Sequence, residues 1–133
     1  MSINLTTNGE NITLSYLVGK TTSTENLLLK LFTNNITSLS PSDTVATYTE
    51  VILNTGGYNP KTLSGTSWSI TNGIATYPTQ TWTFTGAVGN IYGYYLVRAT
   101  TGDIVFSEKF SGGPYNVQTN GDNISVDLSL TIS

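Results

Sequence analysis

The sequence predicts an all-β fold, an antiparallel two-sheet β-sandwich of the jelly-roll type with eight to ten short strands. In most apolar segments, apolar and polar residues alternate, which is the period of a strand that buries one face. Asn-Gly and Gly-Gly pairs, typical of tight turns, separate several of these segments. Only 10% of residues are charged, and threonine, a frequent strand residue, supplies much of the polar character.

Three strands are predicted in the first half of the chain. Residues 12–18 alternate between apolar and hydroxyl side chains, and no segment shows helical periodicity. Residues 27–32 form a denser apolar run, typical of a strand that is covered on both faces. After a turn at residues 40–43, residues 45–53 form the third strand, and a loop with Gly56-Gly57 follows.

The middle of the chain has the clearest strand pattern. The Asn72-Gly73 pair follows a strand at residues 66–71 and is a strong hairpin signal. In residues 79–85, Trp82 and Phe84 point one way and threonines point the other way. We expect the two aromatic side chains to face the core.

A further hairpin is predicted between residues 91–99 and 104–110, and its register stays open. A two-residue turn sets Val97 opposite Phe106, whereas a three-residue loop sets Leu96 opposite Phe106. The two registers place different side chains on the core face, because a shift by one residue exchanges the two faces of a strand.

The last predicted hairpin turns at Asn120-Gly121, and its final strand alternates regularly. The turn sequence in residues 119–125 repeats that of residues 7–13, and common turn chemistry or a trace of duplication explains the repeat. The residues expected to face inward in the final strand are Ile124, Val126, Leu128, Leu130 and Ile132.

Residues typical of enzyme and metal sites are missing. The chain has no cysteine and no histidine, which removes the usual nucleophiles, zinc ligands and acid–base groups. Its eight acidic residues leave a glycosidase-like pair open, but turns and exposed strand faces account for several of them. The loops at residues 8–11 and 120–123 offer oxygen ligands for a cation, although turn chemistry explains both. We therefore predict no enzyme, no cofactor and no metal site.

Charge and hydropathy limit the possible partners. The net charge is −3 and basic residues do not cluster, so we expect neither nucleic acid nor a membrane as partner. No apolar segment approaches the roughly 20 residues of a membrane helix, and the start of the chain lacks a signal-peptide pattern. Synthesis in a cytoplasm is the expectation.

Two groups of apolar residues predict contact with another protein. Residues 27–32 cannot all face one core, so a loop, the N-terminal segment or another subunit must cover some of them. Tyr94 and Tyr95 are adjacent on a strand, so at least one of them points away from the main core. The protein-contact candidates are Leu27, Leu29, Leu31, Tyr94, Tyr95 and Tyr115.

Several segments resemble a group of small all-β proteins of tailed bacteriophages, and the likeness covers most of the chain from about residue 27. The pattern that carries it is a tyrosine-rich strand followed by a Thr-Gly turn, with shorter strand and turn motifs on either side. The segments are Ile91–Asp103 with Glu108–Phe110 and Gly113–Tyr115, Leu29–Asn34, Lys61–Trp68 and Asn120–Asp122.

The resemblance implies a structural protein of the virion, of the capsid decoration (cement) type. Such proteins lie on the outer capsid surface, commonly as trimers, and bridge subunits of the major capsid protein. By this analogy, residues 1–25 form an N-terminal strand or arm that contacts the partner, and residues 26–133 form the sandwich domain. The implied protein is a homo-oligomer, with a trimer favoured.

Three other functions stay open at this point. The aromatic residues and asparagine-rich loops also suit a carbohydrate- or receptor-binding module of a phage tail or fibre. A component of the tail tube or neck would form rings or stacked tubes. An enzyme is the least supported of the three, because the residues that general acid–base catalysis most often uses are absent.

Overall fold

The computed structural model describes residues 3–20 and 25–131. These residues form a mostly β structure of antiparallel strands with one α-helix. The short 3₁₀ helices are Val45–Thr47, Thr55–Gly57 and Gly65–Ser67. In chain order the longer elements are β1 (Asn4–Leu5), α1 (Thr7–Leu17), β2 (Leu27–Phe32), β3 (Lys61–Leu63), β4 (Ser69–Thr71), β5 (Ile74–Thr83), β6 (Gly89–Ile91), β7 (Gly93–Arg98), β8 (Ile104–Lys109), β9 (Tyr115–Val117) and β10 (Asn123–Thr131).

The strands pair in three antiparallel sheets. The largest sheet has the strand order β1-β8-β7-β2-β3, a second sheet has the order β10-β5-β4, and β6 pairs with β9. Apolar side chains from all three sheets meet in one main core. Its fully or almost fully buried members include Leu29, Leu31, Tyr94, Leu96 and Phe106 from the large sheet, Trp82, Ile124, Val126 and Leu128 from the second, and Ile91 and Val117 from the pair.

Several predicted strands and turns are confirmed. Asn72 and Gly73 both have positive φ and connect β4 to β5 with Thr71 opposite Ile74, as a two-residue hairpin requires. In the hairpin of β7 and β8, Leu96 lies opposite Phe106, which is the register that a three-residue loop predicts. A register shift follows between Leu96 and Val97.

The pattern of β10 is confirmed for the residues that the structure describes. Ile124, Val126 and Leu128 are buried, and the alternate residues between them are exposed. Leu130 is half-buried, and the predicted inward residue Ile132 lies outside the described residues. The last strand therefore follows the period of two that its sequence predicts.

Three predictions about local structure are wrong. Residues 12–18 belong mostly to α1 rather than to a strand, and residues 45–53 form a 3₁₀ turn and loop with a single bridge from Glu50 to Phe32. Asn120-Gly121 is a turn, but it does not close a hairpin, because β9 pairs with β6 and β10 pairs with β5. In each case the residue pattern is compatible with the predicted structure, but pairing or packing with a distant segment favours a different one.

Candidate functional site

Four of the six predicted contact residues lie in the interior of the protein. Leu29, Leu31 and Tyr94 are buried in the main core, and Tyr95 is buried on the opposite face of the same sheet. Their contacts are therefore with this chain itself. The structure corrects these four from a candidate contact surface to core residues, because their own chain already covers both faces of the sheet.

The cover on the second face is a small aromatic core. Phe32, Tyr48 and Tyr95 pack there, with the ring centroid of Tyr48 5.1 Å from that of Phe32 and 5.0 Å from that of Tyr95. Val97 and Ile104 complete the buried cluster. Tyr48 lies between β2 and β3 and packs on this face of the sheet. The loop that follows β2 therefore covers the second apolar face of β2, and a loop is one of the covers that the sequence predicts.

The other two contact candidates are more accessible. Leu27, at the start of β2, is half-buried against the main core. Tyr115 is 44% exposed and packs one side of its ring on Phe110, with ring centroids 5.0 Å apart. A shallow pocket of about 500 Å³ lies beside Tyr115 and is also lined by Asn116 and Asn123. Of the predicted set, Tyr115 is the residue that can best meet a partner.

The predicted N-terminal arm is in part a component of the fold. Asn4 and Leu5 pair with Ser107 and Phe106 of β8, which makes β1 the edge strand of the large sheet. The α1 helix then packs on β8. The rest of the predicted arm includes residues 1–2 and 21–24, which lie outside the described residues.

The first turn of α1 is anchored to β8. The Thr6 side chain caps the helix by accepting a hydrogen bond from the Gly9 backbone N–H at 3.1 Å, and its hydroxyl lies 2.8 Å from the carbonyl oxygen of Val105. Gly9 is buried, and a Cβ at this position would lie 2.2 Å from the same carbonyl oxygen. Only glycine permits this close approach of helix and strand.

The last turn of α1 leaves an apolar surface uncovered. Leu14, Leu17 and Val18 follow the i, i+3, i+4 spacing that places side chains on one face of a helix. Leu17 is 78% exposed, and Leu14 and Val18 are also exposed. We call these three residues the α1 stripe. Sequence reasoning missed it because the alternation in residues 12–16 favoured a strand, although the spacing of the three residues was a helical signal.

An ion pair lies close to this end of the helix. The guanidinium of Arg98 donates two hydrogen bonds to the carboxylate of Glu25, at 2.9 and 2.7 Å, and the Thr100 hydroxyl donates a third at 3.0 Å. The Arg98 hydrogen bond is the largest influence on Glu25 and lowers the pKa of its carboxyl. A small pocket of about 300 Å³, lined by Asn11, Ser15 and Arg98, separates α1 from this pair.

A buried carboxylate lies on β8. Glu108 is only 9% exposed, and the hydroxyl of Tyr94 donates a hydrogen bond to its Oε1 at 2.9 Å. Burial, with a smaller contribution from the neighbouring Glu108 carboxylate, raises the pKa of the Tyr94 phenol. Tyr94 and Glu108 also line an apolar groove.

Residues 3–20 and 25–131 contain neither a group of metal ligands nor a membrane-spanning helix. No three His, Cys, Asp or Glu residues in these ranges are grouped so that they could hold a metal ion. No helix in the same ranges is long and apolar enough to cross a membrane.

Comparisons with protein-family models, with curated protein sequences and with solved structures give no match for this chain.

Proposed function

We propose that this protein is a non-enzymatic structural component of a tailed-phage virion, a capsid decoration protein that binds the outer shell and stabilises it. The proposed partner is the major capsid protein of the same phage, and the proposed state on the shell is a trimer. The proposed architecture is a two-sheet sandwich of the jelly-roll type. The virion assignment rests on the resemblance of residues 91–115 and the shorter segments to small phage proteins.

The observation that carries the proposal is the α1 stripe. Leu14, Leu17 and Val18 expose adjacent apolar side chains on a helix whose first turn is held rigidly by Thr6 and Gly9. Exposed apolar side chains at this helical spacing suit a hydrophobic groove of another protein. Many copies on one shell would bind neighbouring sites, so modest affinity at a single contact is sufficient.

The first experiment locates the protein in the particle. Heads and tails of the source phage are separated, and the protein is quantified in each fraction by mass spectrometry relative to the major shell protein. We expect it in heads, in amounts comparable with the shell protein. A few copies confined to tails would contradict the decoration function.

A pair of variants tests the α1 stripe directly. Leu17→Asp places a charge on the stripe, and Ile52→Asp is the matched control because Ile52 is 77% exposed and lies elsewhere on the surface. Exposed substitutions change folding stability by only about 0.5 kcal/mol, so both variants should fold. We expect Leu17→Asp to reduce binding to empty shells at least tenfold in a co-sedimentation assay, while Ile52→Asp binds as the wild type does. Equal binding by all three proteins would rule out the stripe as the contact.

A second candidate function has one specific observation in its favour. Tyr115 presents half of its ring beside Asn116 and Asn123, and a half-exposed aromatic ring next to amide side chains suits a sugar. The alternative is therefore a carbohydrate- or receptor-binding module of a phage tail or fibre. A glycan array on which the wild type binds and Tyr115→Ala does not would favour this function over decoration.

A further inference from the structure

One side of the main core opens into a groove because the two larger sheets differ in width. The large sheet has five strands and the facing sheet has three. At that side of the large sheet, Leu5 of β1 and Val105 of β8 are only half-buried. A groove of about 990 Å³ lies there, lined by these two strands, by β10 and by Ile70 and Ala75 of the β4–β5 hairpin. Its volume is at the upper end of the range for ligand sites in proteins.

The walls of the groove are apolar and carry negative charge. Leu5 and Phe106 contribute from the large sheet, and Leu130 contributes from β10. Two carboxylates, those of Glu108 and Asp127, also line the groove. The described residues that line it include no lysine or arginine. A ligand that fits these walls is largely apolar and has a positive charge.

The wall that β10 forms is also a free strand edge. β10 is nine residues long and pairs only with β5 among the strands that the structure describes. A bulge between Val126 and Leu128 divides this pairing into two regular parts, residues 123–126 and residues 128–131. After the bulge, residues 128–131 pair with β5 in regular register, and Ser129, Leu130 and Thr131 line the groove. The part of the edge at the groove is thus Asp127, at the bulge, and the regular stretch that follows it.

We propose that this groove binds an extended segment of another protein chain, which adds to the edge of β10 as a strand and places a lysine or arginine side chain against Glu108. Backbone hydrogen bonds to residues 128–131 would hold the segment, as in other cases of strand addition. Alternate apolar side chains of the segment would cover Leu5 and Leu130, which are only half-buried. Its basic side chain would pair with the free oxygen of a carboxylate that Tyr94 already orients.

The combination of groups favours a polypeptide over a small amphiphilic amine. An amine with an alkyl chain would match the apolar wall and the carboxylate of Glu108, but it would leave the edge of β10 without partners. An extended peptide can pack on the apolar wall, pair with the carboxylate of Glu108 and form hydrogen bonds with the edge of β10. The inference goes beyond the decoration function and is independent of it, because the groove and the α1 stripe share no residue.

The test uses the full chain and synthetic peptides. The probe is an eight-residue peptide of alternating threonine and valine in which one central valine is replaced by lysine. A second peptide has glutamate in place of lysine, and a third keeps the lysine but has proline at two threonine positions, which removes backbone donors. We expect the lysine peptide to bind with a dissociation constant below about 1 mM and the other two to bind at least tenfold more weakly.

Two protein variants and one structural measurement complete the test. Glu108→Gln keeps an acceptor for the Tyr94 hydroxyl but removes the charge, so we expect it to bind the lysine peptide about tenfold more weakly. Asp103→Asn makes the same charge change on an exposed residue outside the groove and should bind as the wild type does. Hydrogen exchange measured by NMR should show new protection at alternate amides within residues 128–131 when the lysine peptide is present.

Four outcomes would overturn the proposal. They are absence of binding by the lysine peptide at about 1 mM, equal binding of the lysine and glutamate peptides, undiminished binding of the proline peptide, and binding of hexylamine as tight as that of the lysine peptide. The last outcome would identify the groove as a site for small amphiphilic amines instead. Failure here would leave the Leu17→Asp experiment unaffected, since that variant changes a different surface.

Discussion

Tyr48 connects three parts of the chain through its hydroxyl. It donates a hydrogen bond to Asp43 at 2.8 Å and lies 2.6 Å from the Ser107 hydroxyl on β8, which in turn accepts a hydrogen bond from Asn4 on β1 at 3.2 Å. The ring of Tyr48 stacks on Tyr95. A single residue therefore joins the loop after β2 to the edge of the large sheet through both packing and hydrogen bonding.

The environment of Tyr48 predicts how stability depends on pH. Burial, which is the largest influence, raises the pKa of its phenol from 10.0 to about 12. A raised pKa in the folded state means that the folded protein keeps a proton that the unfolded chain loses. The stabilisation is complete below pH 10 and is lost as the pH rises through about 12. Burial also raises the pKa of Tyr58, Tyr94 and Tyr95, so they act in the same direction.

Urea unfolding between pH 8 and 12.5 measures this effect. We expect the free energy of unfolding of the wild type to fall above pH 10, and to fall less steeply in Tyr48→Phe, which cannot ionise at this position. Below pH 10, Tyr48→Phe should also be less stable than the wild type, because Asp43 and Ser107 each lose one hydrogen-bond partner. An identical decline in the two proteins would show that Tyr48 is not responsible.

At the scale of elements, one sequence pattern occurs in two different structures. Residues 7–13 form the first turns of α1, whereas residues 119–125 form a turn and the start of β10. In the helix, the hydroxyls of Thr13 and Ser15 donate to backbone carbonyls four residues earlier, so these polar residues do not require a strand. In the turn, the carboxylate of Asp122 accepts hydrogen bonds from two backbone N–H groups. The local pattern alone does not choose between these structures.

The pairing of β5 with β10 accommodates a proline inside a strand. Pro78 lies inside the central strand of a sheet, where its missing N–H removes a donor. The register shift opposite, between Val126 and Leu128, places Asp127 beside this position, and the Thr79 hydroxyl donates to Asp127. The bulge allows a ten-residue strand to contain a proline without a break in the sheet.

The docking of α1 on β8 is tested by Gly9→Ala. Alanine is about 1 kcal/mol better than glycine inside a helix, but its methyl group would lie 2.2 Å from the Val105 carbonyl oxygen. We expect the clash to prevail and to lower the free energy of unfolding by about 1 to 3 kcal/mol in urea denaturation. Gly65→Ala is the control, because a Cβ at Gly65 meets no atom within 4 Å, and it should be nearly neutral. Stabilisation by Gly9→Ala would show that α1 is not held closely against β8.

At the scale of the whole molecule, the large sheet has a core on each face. The main core fills one face, and the aromatic cluster of Phe32, Tyr48 and Tyr95 fills the other. Both apolar faces of β2 are therefore covered by side chains of the same chain. The proposed contact with a partner therefore involves the α1 stripe rather than β2.

This arrangement changes the expected effect of a charge in β2. From the sequence, Leu29→Asp should weaken assembly and leave the monomer folded. Because Leu29 is completely buried in the main core, we now expect the aspartate to cost several kcal/mol, a large part of the about 5 to 15 kcal/mol that stabilises a domain. Circular dichroism should show loss of the folded state in Leu29→Asp, and its retention in Leu17→Asp. A folded monomer of Leu29→Asp would restore β2 as a possible contact surface.

Residue patterns alone predict the β-rich class, the Asn72-Gly73 hairpin and the inward residues Ile124, Val126 and Leu128 of β10. These features depend on local turn chemistry and on a period of two, both of which are visible in a short segment. Three further features depend on contacts between distant segments: the helix at residues 7–17, the packing of Tyr48 over Tyr95, and the exposure of Leu14, Leu17 and Val18. The hydrophobic pattern of a segment indicates which side chains will be buried. It does not indicate which distant segment will cover them, because that depends on how side chains from the whole chain pack together.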